Sequence, residues 1–265
     1  MMSLDNILWL GYIFAEVAVV VLLVVRRAWR LLPLFCVYCA WDLLSNTGGY
    51  ASQHLLSSTF SNYLTTYLVQ TVIDVVLQFC VLVELAWSVL RPIRSSLPRY
   101  SLLVIALVIV LVGVLIWPFA GLAGVAQYPA NVQLVVHLQQ TTSILRILLF
   151  LAMAGCSQLL SIGWRDRELQ VATGLGVYSL VSVGVTMLQS HQSNGAQYAS
   201  LNQFVVGSFI CSLIYWIVCF AQKEAERRDF TPQMQNLLLA VAGVARAERT
   251  ALTSVSAATR RSKEQ

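Results

Sequence analysis

The sequence predicts an all-α integral membrane protein: a seven-transmembrane-helix bundle with its N-terminus outside, its C-terminus in the cytoplasm and an amphipathic cytoplasmic helix in the tail. Three observations predict it. Only 11% of the 265 residues are charged, 58% are hydrophobic and the mean hydropathy is +0.71. A soluble domain carries about 25% charged residues, so a water-facing surface cannot be built from this composition, and lipid is the solvent its apolar residues meet. The charges are also segregated, with no Asp, Glu, Lys or Arg between Arg99 and Arg146 or between Glu168 and Lys223. Finally, the basic residues fall on alternate sides of successive apolar segments.

A spanning helix needs roughly 20 mostly apolar residues. Seven segments are expected to span, at about 7–25, 31–50, 66–90, 101–120, 141–162, 170–188 and 204–220. The first ends at Arg26, Arg27 and Arg30, the third before Arg91 and Pro92, and the fourth at Trp117, Pro118 and Gly121. The fifth ends before Trp164, Arg165 and Arg167, and the seventh before Lys223. Helices three and five look longer than a bilayer. The apolar pattern of the third reaches back to about Tyr63 and the fifth starts just after Pro129, so their outer ends are expected to project beyond the hydrocarbon. The fourth is apolar all round, which suits a lipid-facing position. Helices six and seven carry Ala172/Gly176 and Gly207/Cys211 at four-residue spacing, where small residues let helix backbones approach closely in lipid.

Orientation follows from the basic residues, which are retained on the cytoplasmic side. Loop one-two holds Arg26, Arg27 and Arg30, loop three-four Arg91, Arg94 and Arg99, loop five-six Arg165 and Arg167, and the tail the rest; of the 17 Lys and Arg, only Arg146 lies inside an expected span. Six or eight spans would break this alternation. The stretch 1–6 carries Asp5 and no positive charge, so the first helix is expected to be a signal-anchor that stays. The domain organisation is thus a seven-helix unit over 1–223 and a cytoplasmic tail over 224–265. In the tail, Thr231 and Pro232 form an N-cap and first helical residue. Met234, Leu237, Leu238, Val241 and Val244 then recur at helical spacing. This predicts an amphipathic helix over about 232–250 that lies on the inner membrane face or pairs with a cytoplasmic protein partner.

The net charge of +5 does not signal nucleic-acid binding, because its residues sit at helix ends and in the tail, where topology accounts for them. Cys36, Cys39, Cys80, Cys156, Cys211 and Cys219 all fall inside apolar segments, which argues against a disulfide framework. The Cys36/Cys39 spacing resembles a redox or metal pair, but no second pair accompanies it, and small polarizable core residues are the expectation.

Ionisable residues at membrane depth are costly and by default mark function. The candidates are Glu16, Asp42, Asp74, Glu84 and Arg146, with the polar Asn46 and Gln158. Counted from the arginine boundary at 1.5 Å per residue, Glu16 and Asp42 lie roughly 15 and 18 Å deep, near the midplane. Asp74 and Arg146 lie at roughly 26–28 Å, near the outer boundary, and Glu84 and Gln158 at roughly 10 Å. Either Asp74 and Arg146 form an ion pair joining helices three and five, or each snorkels separately to outer water. Two carboxylates near the midplane cannot both ionise cheaply, so one of Glu16 and Asp42 is expected to be protonated or to share a cation, which would make a proton or cation site there. The competing account is a hydrogen-bonded interhelical network. Tyr38, Asp42 and Asn46, with Ser45 beside them, form one polar stripe on helix two. His54, His137 and His191 fall on three outer segments without an HxxxH or HExxH pattern, so scattered histidines are expected rather than a zinc site.

Seven helices with an outer N-terminus is the topology of rhodopsins and G-protein-coupled receptors, but the match stops there. The first lysine of the chain is Lys223, at the inner end of helix seven, so a retinal Schiff base is not expected and no cofactor is predicted. Helix three ends Glu84-Leu-Ala-Trp-Ser-Val-Leu-Arg91-Pro92 without an Asp-Arg-Tyr triplet, and helix seven lacks proline. A different resemblance is carried by Tyr67, Gln70, Asp74 and Phe79, then Val81-Leu-Val-Glu84-Leu and Val89-Leu-Arg91-Pro92. Over about 30 residues this segment is similar to uncharacterised seven-helix membrane proteins common in acidobacteria. The resemblance implies a multi-pass protein of the bacterial inner membrane and no activity.

Three function classes fit. A sensor or signalling scaffold leads, because the tail offers a helix to a partner and helices three and five reach outward. A small proton- or cation-coupled transporter would use Glu16 and Asp42, although no internal repeat or broken helix is evident. An intramembrane enzyme would need a Ser/His dyad, a paired-Asp motif or a metal motif, none of which is recognisable.

Overall fold

The computed structural model describes residues 4–55, 60–90, 100–120, 130–155, 166–190 and 195–222. Among them the secondary structure is helical, with seven long helices and no strand. These are α1 (Leu4–Val25), α2 (Pro33–Leu55), α3 (Phe60–Val89), α4 (Ser101–Ile116), α5 (Ala130–Gly155), α6 (Arg167–Ser190) and α7 (Gly195–Ala221). Six of them, all but α2, are long and apolar enough to cross a membrane, and the protein is a multi-pass helical membrane protein. The expected tail helix at 232–250 and the arginines at 91, 94, 99 and 165 lie outside the described residues.

As expected, α3 is long, with 30 residues, and α5 begins at Ala130, just after Pro129, while α7 runs further than expected, beginning at Gly195 rather than 204. The added turns of α7 carry Gln197, Ser200, Asn202 and Gln203. Their backbone hydrogen bonds are satisfied within the helix, so the helix can continue where the side chains no longer favour hydrocarbon.

α1, α2, α3, α5, α6 and α7 pack in that order into a closed ring, α7 returning to α1, while α4 lies outside against α3 and α5. The position of α4 follows from its composition. Leu103, Leu107, Leu111 and Leu115 are exposed along one face, and only its Ser101 and Gly113 are buried. Other outward faces are apolar too, as at Phe14 and Val21 on α1 and Ile214 and Val218 on α7.

The two halves of the ring differ. The end that holds Arg26, Arg27, Arg30 and Arg167, the arginine end, packs around an apolar core of Val19, Leu23, Phe35, Leu85, Leu169, Val171, Trp216 and Phe220, with a smaller pocket of about 240 Å³ between the arginines and Phe220. Here α3 also reaches α6 across the ring, where Ser88 Oγ donates to Glu168 Oε1 at 2.7 Å. Two glycines allow the close approach of α6 to its neighbours. A β-carbon on Gly174 would lie 2.6 Å from Trp216 Cε2, and one on Gly176 would lie 2.5 Å from Phe150 Cβ. Gly176 therefore does permit close packing, but against α5. The expectation for Gly207/Cys211 is corrected: a β-carbon on Gly207 would meet no heavy atom within 4 Å, and Cys211 is exposed. A small residue brings backbones together only where its face meets another helix, and this one faces outward.

Helix ends at the arginine end are capped across helices. α2 starts with Pro33, which has no N–H, and the next two free N–H groups, of Leu34 and Phe35, donate to Glu84 Oε1 and Oε2 on α3, both at 2.8 Å. The last carbonyls of α7 accept from Arg167, whose Nη1 donates to Cys219 O at 2.7 Å and Nη2 to Gln222 O at 2.9 Å. Arg26 adds a hydrogen bond to Ala221 O. A negative group at a helix start and positive groups at a helix end also suit the helix dipoles.

Candidate functional site

The other half of the ring, at the amino-terminal end of α1, encloses a cavity of about 640 Å³. All six ring helices line it and α4 does not. It runs from Leu8, Gln189 and Asn202 near the helix ends down to Tyr38 and Arg146. Its walls are unusually polar for the interior of a helical membrane protein, where each such group must find a partner.

One wall is a hydrogen-bonded network between α1 and α2. Asp42 Oδ2 accepts from Tyr12 Oη at 2.9 Å, and Asp42 Oδ1 accepts from Asn46 Nδ2 at 3.1 Å. The same Asn46 nitrogen donates to Tyr12 Oη at 2.7 Å and to Asp42 O at 2.8 Å. Ser45 Oγ also donates to Asp42 O, at 2.9 Å. The polar stripe read from helix two is thus turned into the ring, and the interhelical network is formed. Tyr12 completes it. Glu16, one turn along α1, is 1% exposed and sets its carboxyl against that of Asp42, within hydrogen-bonding reach of it, and no other side chain bonds to it.

The opposite wall is built by α3, α5 and α6. Gln78 Nε2 donates to Asp74 Oδ2 at 2.7 Å, while Asp74 Oδ1 has no partner. Arg146 is 4% exposed; its Nη2 donates to Ser143 Oγ at 2.9 Å and its guanidinium lies 5.5 Å from the centre of the Tyr178 ring. Its Nε and Nη1 have no hydrogen-bond partner. The expected Asp74–Arg146 ion pair therefore does not form. Both residues line one cavity on packed helices, yet each is held on its own helix, Asp74 by Gln78 and Arg146 by Ser143.

The cavity floor is aromatic. Phe209 stacks on Tyr12 at 5.4 Å and meets Tyr178 edge-on at 4.8 Å. Below it come Trp216, at 6.5 Å from Phe209, and Phe35, at 5.1 Å from Trp216. Phe220 follows at 6.2 Å from Phe35, and the Arg167 guanidinium lies 5.0 Å from its ring centre. A continuous column of rings, each within contact distance of the next, thus joins the cavity to the arginine end.

Of the residues singled out in the sequence, Asp42, Asn46, Asp74 and Arg146 line the cavity, Glu16 lies just behind it and Glu84 lies apart as a helix cap. Gln158, His191 and the side chain of His54 lie outside the described residues. His137 packs edge-on against Trp117 at 5.4 Å and does not line the cavity. Among the described residues no cluster of three or more His, Cys, Asp or Glu is placed to hold a metal ion. Tyr12, Tyr178, Phe209 and the Gln139–Ser143 stretch escaped the sequence reading. The last had a visible signal: Gln139, Gln140, Thr141, Thr142 and Ser143 are five consecutive polar residues in a membrane helix. The hydroxyls of the last three bond back to the carbonyls of His137, Leu138 and Gln139.

No family model matches the chain, and no curated protein or solved structure matches it.

Proposed function

We propose that this chain spans a bacterial inner membrane seven times, N-terminus outside, and works as a sensor: a small polar molecule enters the cavity from outside and its binding is read at the cytoplasmic face. The observation that carries the proposal is the asymmetry of the ring, a large polar cavity in one half and an apolar core with only a smaller pocket among its arginines in the other. The positive-inside rule puts the arginine end in the cytoplasm, so the cavity faces outward. α2 counts as the seventh span because it closes the ring between α1 and α3, and its polar residues Asp42, Ser45 and Asn46 face partners rather than lipid. The aromatic column from Phe209 to Phe220 gives movement at the cavity a packed route to the cytoplasmic end, and the 232–250 segment would carry it to a partner protein.

A transporter is the second reading, favoured by Glu16. A buried carboxyl set directly against that of Asp42 is the arrangement expected of a proton or cation coupling site.

Accessibility from the two sides separates the readings. Ser182, on the cavity wall, is replaced by Cys in a chain whose six native cysteines are changed to Ala, and Gln222→Cys serves as the cytoplasmic control. A sensor exposes Ser182→Cys to an impermeant thiol reagent in intact cells only, and Gln222→Cys in inside-out vesicles only. Labelling of Ser182→Cys from both sides would show alternating access and establish transport instead. Labelling of Gln222→Cys in intact cells would overturn the orientation.

A further inference from the structure

Arg146 differs from the other arginines of the described residues in what surrounds it. Arg26 and Arg167 place their charge at the end of α7, and Arg27 and Arg30 are exposed at the arginine end. Arg146 is buried to 96% on the cavity wall with two guanidinium nitrogens unbonded. A buried cation with its hydrogen bonds only partly made is costly in a membrane protein, even with the Tyr178 ring beside it. The cheapest remedy would be a direct bond to Asp74, on a helix packed against α5. That bond is not made, although Asp74 also has an unbonded oxygen, Oδ1. Asp42, by contrast, has both oxygens occupied by Tyr12 and Asn46. Arg146 and Asp74 therefore line the same wall of the cavity, each with part of its hydrogen-bonding capacity unused.

We propose that the cavity binds a small zwitterion, a free amino acid or a short peptide, with its carboxylate on Arg146 and its ammonium on Asp74. The ligand takes the place of the missing ion pair. This rests on reading the cavity as an outward-facing ligand site and names the ligand's chemistry. A neutral ligand leaves both charges unpaired, a monoanion leaves Asp74 and a monocation leaves Arg146, and each such omission is heavily penalised at low dielectric. A zwitterion satisfies both. The volume of about 640 Å³ lies within the range of small-molecule sites, roughly 300–1,000 Å³, and accommodates an amino acid with water or a peptide of a few residues without it. The amides of Gln139, Gln140 and Asn202 supply both donors and acceptors for the polar remainder of such a ligand.

The test uses the full chain in phosphatidylglycerol nanodiscs, whose headgroups carry no ammonium. Thermal shift and calorimetry are run against four probe mixtures: the proteinogenic amino acids, short peptides, the matching deaminated carboxylic acids and the matching decarboxylated amines. One or both zwitterion mixtures are expected to bind at least 30-fold more tightly than the acids and amines, and the stronger of the two identifies the source. Arg146→Gln should weaken zwitterions and acids at least 30-fold and leave the amines unchanged; Asp74→Asn should do the reverse for acids and amines. Because Arg146→Gln removes a buried charge, its ligand-free melting temperature should not fall, and the four wild-type affinities stand without any variant. Acids or amines that match the zwitterions, or no binding by either zwitterion mixture, would overturn the assignment. If Ser182→Cys still labels from outside, the outward cavity survives that failure; if it does not, both ideas fall together.

Discussion

Gly174 lies directly against the Trp216 indole, so close that any β-carbon there would overlap the ring nitrogen. Trp216 is 1% exposed, and its Nε1 donates to Gln170 O at 3.3 Å. Ser212, one turn earlier, donates to Gly174 O at 3.1 Å. One glycine thus sets the spacing of α6 and α7 beneath the cavity floor. Gly174→Ala should destabilise the protein by about 3 kcal/mol, at the upper end of overpacking costs, since the ring is rigid and enclosed. Gly184→Ala, with nothing within 4 Å, should instead be neutral or stabilise by up to about 1 kcal/mol. Denaturant titration in detergent checks both. Pairing Gly174→Ala with Trp216→Phe should cost less than the sum of the two, the sign of direct coupling.

The cap on α2 makes a graded prediction. Glu84→Ala leaves the N–H groups of Leu34 and Phe35 without acceptors and should cost about 2–3 kcal/mol. Glu84→Gln retains one acceptor and should cost about half as much. Equal losses from the two variants would mean that charge at the helix start, rather than hydrogen bonding, sets the effect.

Tyr12, Asp42 and Asn46 form a closed triangle of hydrogen bonds. Tyr12→Phe and Asn46→Ala should each destabilise by about 1 kcal/mol, and the double variant by clearly less than their sum, because either change breaks the same unit. Additive losses in the same titration would indicate independent bonds.

Arg167 should act locally. Arg167→Ala removes two charge-assisted bonds to the end of α7, each worth about 1.5–3 kcal/mol. Amide hydrogen exchange should accelerate over the last turn of α7 and at the start of α6, with little change around the cavity. Uniform acceleration across α7 would show that Arg167 holds the whole helix rather than its end.

Hydrophobicity and charge placement read from the sequence identified the helices well, because each helix satisfies its own backbone and must declare its solvent in its own residues. α4 is the clearest case: it is apolar all round and it stands outside the ring. α2 is the opposite case. Its hydropathy alone does not qualify it as a span, and only its place between α1 and α3 explains why Asp42 and Asn46 are tolerated there. Depth counted along single helices put Asp74 and Arg146 at one level, and both do line one cavity. Whether they would touch depended on rotation about the helix axes and on Gln78 and Ser143, which a depth count does not contain.

By itself, then, the sequence determined that this is a helical membrane protein, where most of its helices lie and which polar residues fall inside their apolar stretches. The tertiary structure decided that six helices close around a cavity with the fourth excluded, that Glu84 is a cap, and that Arg146 and Asp74 share a cavity without bonding. The physical reason is one of range. Solvent preference and helix formation are properties of neighbouring residues, whereas a cavity, a cap made across helices and an unmade ion pair exist only once distant faces have been turned toward each other by packing.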